Sequence, residues 1–225
     1  MKTVFLTIDE TLRANSRMIG RGGTIRRVAS LCLIMFFFGA IYGGVMGSFG
    51  GIGGERFLQL VISGVKVPLL LIITFLLSLP SFFVINTLLG LRSDFTFVIR
   101  SIIATQAGLT IILASLAPFT ALWYVSTSNY KASILFNMLM FATACIASQK
   151  ILHRLYRPLT AKDPRHLLSI KIWLFTYSFI AVQMAWVLRP FIGDPSLTPQ
   201  FFRQEAWSNA YIALARIIIG LFAGN

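Results

Sequence analysis

Apolar runs of roughly 20 residues, separated by short stretches that hold the charges, set the pattern of this chain. Because a helix needs about 20 apolar residues to cross about 30 Å of hydrocarbon, five runs qualify as membrane spans: residues 28–47, 67–91, 101–123, 132–149 and 172–188. Polar Ser126, Thr127, Ser128 and Asn129 read as a loop after the third span. Two further segments have helical spacing outside the spans. Thr7 and Glu10 form the S/T-x-x-E pattern of a capping box, predicting a short amphipathic helix over residues 7–19 that ends before Gly20. Beyond Pro199, Trp207, Tyr211, Leu214, Ile218 and Phe222 recur at helical intervals, predicting an interfacial helix over residues 205–222. The expected fold is all-α: a polytopic transmembrane bundle of about five spans with an interfacial helix at each terminus. Its parts are a basic N-terminal segment (1–27), the five-span domain (28–190) and a C-terminal tail (191–225).

Composition agrees with this reading. The 225 residues are 56% hydrophobic and 12% charged, with a mean hydropathy of +0.79, more apolar surface than one soluble core of this length could hide. The formal net charge of +13 would suggest nucleic acid on a soluble protein; on a chain with five spans it is accounted for by basic residues at the cytoplasmic ends of helices. With the N-terminus inside, fourteen of the 20 Lys and Arg residues fall in inside segments. The expected arrangement is therefore multi-pass with a cytoplasmic N-terminus, and no nucleic-acid partner is expected. No apolar stretch with a small-residue cleavage site precedes the first span, so no removable signal peptide is expected. Cys32 and Cys145 lie in apolar runs and are expected to act as packing residues.

Inside the first span, Gly39, Gly43 and Gly47 repeat every four residues. No strand-turn-helix context or following Lys-Ser/Thr accompanies them, so a phosphate loop is excluded. Glycines at this spacing keep to one helix face and let another backbone approach closely, the small-xxx-small arrangement of membrane helices. Gly50, Gly51, Gly53 and Gly54 continue into a loop.

Chemistry at membrane depth is sparse. None of the five spans contains Asp or Glu, which removes the usual carboxylate of proton relays and cation coupling. His153 and His166 both fall in the basic stretch between the last two spans, where ordinary solvation is expected and haem ligation is not. Catalytic signatures such as GxSxG and HExxH do not occur, so no enzyme activity is expected. The remaining polar groups in the spans, Asn86, Gln106, Asn137 and Gln183, should hydrogen-bond across helices. Lys66, Arg100 and Arg189 stand at span edges. Pro68 reads as the opening of the second span, and Pro80 and Pro118 as kinks, with Ser78 and Ser115 placed to help satisfy the freed carbonyls. Trp186, Arg189, Pro190 and Asp194 form a dense motif: an interface anchor with a local ion pair, or a docking surface for another subunit.

Through Lys66 to Leu71 (KVPLLL), Leu79 to Phe82 (LPSF), Leu113 to Pro118 (LASLAP) and Trp186 to Pro195, the chain resembles a family of uncharacterised bacterial multi-pass membrane proteins, to which an actin-binding name is sometimes attached. It is also similar, by KVPLLL and the spans that follow, to the Yip-type five-span proteins, whose eukaryotic members act in membrane trafficking. The resemblance covers residues 30–195. It implies five spans and no known catalysis, and no soluble segment suited to actin is found here. With the resemblance to a bacterial family, the function expected is that of a non-enzymatic structural or accessory subunit in a bacterial inner membrane, with membrane lipids and other membrane subunits as partners. No cofactor is predicted; a bound lipid is compatible. The alternative is a small-solute or lipid transporter using the kinked second and third spans with Asn86, Gln106 and Gln183.

Overall fold

The computed structural model describes residues 2–13, 25–54, 56–194, 198–202 and 211–212. Among these the chain is helical, without strands: α1 Lys2–Leu12, α2 Ile25–Gly47, α3 Arg56–Leu88, a 3-10 turn Arg92–Asp94, α4 Phe95–Ser126, α5 Tyr130–Lys162 and α6 Arg165–Leu188. Five of the helices, α2 to α6, are long and apolar enough to cross a membrane.

The layout is centred on α4. It packs against α2 on one side and α5 on another, while α3 joins α2 to α6. In the most apolar stretch of α4, 72% of the residues are buried inside the protein, against 22% in α5 and 17% in α6. The main core runs through α2, α3, α4 and α5 and includes Met35, Tyr42, Val67, Leu113 and Ala144. A second cluster, with Phe82, Val98, Tyr156 and Trp173, joins α3, α4, α5 and α6 near the end of the bundle that carries the 3-10 turn. That end is rich in basic residues and is called the basic end below; the opposite end carries the glycine loop.

The α2–α3 seam is built on glycine. A Cβ at Gly43 would overlap the Ser63 carbonyl oxygen and stand 3.0 Å from Gly64 Cα; one at Gly47 would stand 2.8 Å from the Gln59 carbonyl. At Gly39 it would meet Pro68 at 3.4 Å, ordinary contact. Removing the side chains lets the two backbones approach, and the apolar surface around them follows. Gly50, Gly51 and Gly54 in the connecting loop take φ of 85°, 113° and 61°, the left-handed region that glycine enters without a Cβ penalty.

Several boundaries differ from those read along the sequence. Helix α3 begins at Arg56, so Pro68 lies inside it rather than at its start; the helix continues past Lys66 because that charge is buried and bonded instead of marking a water boundary. The basic stretch between the last two spans is not a loop. Helix α5 runs on to Lys162 and α6 begins at Arg165, leaving a two-residue turn in which Asp163 pairs with Arg165 at 2.8 Å. That guanidinium holds the Asp163 carboxyl below its ordinary range.

Helix α1 starts at Lys2, upstream of Thr7, so Thr7 is not its cap; the Thr7 carbonyl instead accepts from the Thr11 hydroxyl at 2.6 Å. Thr11 is buried where α1 meets α4, with its Cγ2 3.8 Å from where a Gly108 Cβ would stand. Residues 14–19 of the predicted helix lie outside the described residues. Nearly all of the predicted 205–222 helix lies outside them too, but Tyr211 stacks on Phe179 of α6 with ring centroids 4.4 Å apart. Both cysteines are exposed on the protein surface rather than packed.

The serines beside the kinks donate to carbonyls one and two residues before those that proline frees. Ser78 bonds Phe75 at 2.8 Å and Ser115 bonds Ile112 at 2.7 Å, each the i−3 carbonyl, whereas Pro80 and Pro118 free those of Leu76 and Ala114.

Candidate functional site

At the glycine-loop end, polar side chains occupy one face of α3 at Gln59, Ser63 and Lys66, spaced four and three residues apart as helix periodicity requires. All three are buried, Lys66 completely. Beyond α6, the chain turns back across this face and presents its carbonyls to them. The Lys66 ammonium donates to the Pro190 carbonyl at 2.8 Å and to the Gln200 carbonyl at 3.4 Å, and stands 5.0 Å from the centre of the Phe201 ring. The Ser63 hydroxyl and the Gln59 amide both donate to the Phe191 carbonyl, and Tyr130 at the start of α5 donates to that of Ile192 at 3.0 Å. Irregular backbone at the edge of an apolar bundle must find such donors. Residues 190–192 and 200–201 thus form a strap, sewn to α3 and α5 by side chains.

Behind the strap, three helices meet at an amide. Asn137 of α5 accepts from the Tyr42 hydroxyl at 3.2 Å and donates to Tyr124 at 2.7 Å and to the Ser133 carbonyl at 2.8 Å. Tyr124 in turn donates to the Met46 carbonyl at 3.2 Å. Phe49 packs edge-on against Tyr124. Every polar atom of the Asn137 side chain is therefore bonded, and α2, α4 and α5 are fixed in register around it.

Beside this amide, α5 and α6 diverge from their shared turn and leave a cavity of about 550 Å³ between them. Met138 and Phe141 of α5 face Val182 and Ala185 of α6, Leu70 of α3 forms the floor, and Arg189 to Ile192 with Tyr130 close one end. Among the described residues its lining holds one cation, Arg189, and no carboxylate. The Arg189 guanidinium lies over the Trp186 ring at 3.3 Å, a cation–π contact. Met138 and Val182 are also exposed on the outer surface, so the cavity opens sideways between the two helices.

At the basic end a second polar group forms. His166 is fully buried, with Nε2 3.3 Å from Asp94 Oδ2, and Lys162 pairs with the same carboxylate at 2.9 Å. The expectation of a solvated histidine therefore fails for His166, because α6 begins early and turns its first turn inward; His153 is exposed. Trp173 donates to Ser78 at 3.2 Å, placing α3 and α6 antiparallel with Asn86 toward the first turn of α6. Asn86 donates to the Phe82 carbonyl at 2.8 Å within its own helix.

The four amides picked out along the sequence are thus not brought together. Asn86 is near the basic end, Asn137 near the glycine-loop end, Gln106 bonds Tyr177 of α6 at 3.4 Å, and Gln183 lies half-buried on α6. None of Asn86, Gln106 and Gln183 lines the cavity, and its walls are α5 and α6 rather than the proline-bearing α3 and α4. Arg189 lines its closed end, and Trp186 stacks on that guanidinium without lining the cavity. Asp194 is half-buried two residues beyond the strap's Ile192. Helical spacing puts Gln59, Ser63 and Lys66 on one face, but a lysine beside an apolar run reads as a span edge, which separates Lys66 from Gln59 and Ser63 along the sequence. Among the described residues no group of three His, Cys, Asp or Glu could hold a metal ion.

No family model matches the chain, and neither a curated protein nor a solved structure does.

Proposed function

We propose that the protein is a non-enzymatic structural or accessory subunit of a bacterial inner-membrane assembly, with its N-terminus in the cytoplasm and its α5–α6 side turned to partner membrane helices. The observation that carries this reading is the uneven burial of the spans: α4 is satisfied within the chain, whereas α5 and α6 bury only 22% and 17% of their most apolar stretches. Along the open side of α5, Ala142, Thr143 and Cys145 are exposed, small residues of the kind that let helices approach one another in lipid. The strap carbonyls of Pro190, Phe191 and Ile192 and both polar atoms of the Asn137 side chain are bonded within the chain, which suits a rigid scaffold better than a reacting centre. The sequence resemblance to multi-pass membrane proteins without known catalysis supports the same reading.

Photo-crosslinking in native membranes tests it. A photoreactive residue at Ile146 or Phe175, both strongly exposed, should yield discrete adducts with another membrane protein, while the same probe at Leu33 on α2 should yield mainly lipid. Lipid adducts alone at all three positions would refute a subunit role.

A further inference from the structure

We infer that the outer face of α5 at the basic end binds the phosphates of anionic phospholipid head groups through Lys150, Arg154 and Arg157. The three are exposed at spacings of four and three residues, which sets them in one row along the helix, with exposed His153 beside Arg154. At 1.5 Å per residue the row is about 10 Å long. On the inner face of the same two turns Ile151, Leu152, Leu155 and Tyr156 are buried in the bundle. The row therefore stands on a packed helix, which fixes the spacing of its charges.

Depth decides the occupant. No charged residue lies between Lys131 and Lys150, and over that interval α5 exposes Leu135, Met138, Leu139 and Ile146. Nineteen positions separate the two lysines, about 28 Å of helix, close to the thickness of a hydrocarbon core about 30 Å across. Lys150, one turn past Ile146, thus stands where hydrocarbon gives way to head groups. Arg154 follows about 6 Å further along, inside a head-group layer about 5–8 Å deep, and Arg157 lies at the aqueous edge of that layer. A row at this depth meets lipid phosphate before it meets a protein in the water beyond.

Charge then selects among lipids, because the acids of the chain are engaged elsewhere. Asp94 pairs with Lys162 and His166, Asp163 with Arg165, and Asp9 of α1 with Arg13. Glu10 pairs with none of the row, and Lys150, Arg154 and Arg157 have neither an ion pair nor a side-chain hydrogen bond. Helix α5 contains no Asp or Glu, and neither do residues 14–24 between α1 and α2. The other three acids belong to the opposite end: Asp194 follows the strap, Glu55 adjoins Arg56, and Glu205 is four residues past Phe201, a reach of about 14 Å at most. Phosphate oxygens suit the planar forks of Arg154 and Arg157. The proposal stands whether or not partner helices cover the apolar stretch before Lys150.

The test uses the full chain in nanodiscs of phosphatidylglycerol and phosphatidylcholine. Native mass spectrometry should show phosphatidylglycerol retained in preference to phosphatidylcholine, and Arg154→Gln combined with Arg157→Gln should lower that preference about fivefold for each arginine lost, the weight of one basic residue beside anionic lipid. Phosphatidylglycerol with a diazirine on its head group should label residues 150–157 well above phosphatidylcholine carrying the same group. This labelling decides on the unmodified protein should the double variant fail to fold. In native membranes a photoreactive residue in place of His153 should give lipid adducts. No preference between the lipids, a preference unchanged in the double variant, equal labelling by the two probes, or discrete protein adducts from position 153 would each overturn the proposal. The last result would assign the row to an acidic segment of a protein, and it is separate from the outcome at Ile146 and Phe175, which bears on the subunit role alone.

Discussion

Gly43 and Gly44 are adjacent in sequence and opposite in consequence. A methyl group at Gly43 would run into the backbone of α3, which cannot move aside as a flexible side chain can, whereas one at Gly44 would rest 3.6 Å from Leu60 in ordinary contact. Gly43→Ala should therefore destabilise the protein by about 1–3 kcal/mol, the usual cost of overpacking, and Gly44→Ala should be near neutral; thermal unfolding in detergent compares the two. Asn137 is the other decisive position. Asn137→Leu would leave the Tyr42 hydroxyl without its acceptor and Tyr124 without its donor, and should cost about 1–3 kcal/mol for buried groups deprived of a partner. Adding Tyr42→Phe to Asn137→Leu should recover part of that loss, a non-additivity that a double-mutant cycle measures directly. The glycine spacing could be read from the sequence because helix periodicity alone puts positions 39, 43 and 47 on one face. The pairing of Asn137 with Tyr42 could not, since the two are 95 residues apart and nothing local says which helices will be neighbours.

At the scale of elements, the apolar runs locate the five long helices but not their ends. Charges mark helix boundaries only when water is their partner. Lys66 instead meets carbonyls of the strap, and Lys162, Arg165 and their neighbours remain on helices that run past the apolar stretches. The motif around Arg189 and Pro190 marks where α6 ends but not the course of the strap, which is set by donors on α3 and α5. Lys66→Met would remove the donor to Pro190 and Gln200 while keeping most of the side-chain volume. In a Cys32→Ser, Cys145→Ser background, a cysteine at position 200 should then be labelled by a water-soluble maleimide several-fold faster than with Lys66 present. Unchanged labelling would mean that the remaining donors, Gln59, Ser63 and Tyr130, are sufficient to hold the strap.

For the molecule as a whole, the two ends differ in charge. Arg92, Arg154, Arg157, Lys162 and Arg165 gather at the basic end, and Arg56, Lys131 and Arg189 at the other. Basic residues are retained on the cytoplasmic side, so the basic end should be inside and the strap outside. With both native cysteines replaced by serine, a cysteine at position 92 should be protected from impermeant maleimide in intact cells, and one at position 200 should gain its reactivity only from the outer face. The opposite pattern would invert the arrangement. The number of long helices and the fold class were legible because hydrophobic length is a local property. The cavity was not, since it exists only where α5 and α6, joined by a two-residue turn, spread apart toward the strap.

The strap also bears on how the protein is made. Its residues follow all five long helices in order of synthesis, yet the groups it satisfies sit in α3, threaded much earlier. Until residues 190–200 emerge, Gln59, Ser63 and the Lys66 ammonium lack these acceptors in an apolar setting, a condition that membrane quality control is suited to detect. A chain stopped after Leu188 should therefore insert its helices and still be cleared rapidly, and pulse-chase turnover that matches the full-length protein would show that closure of the strap is no checkpoint.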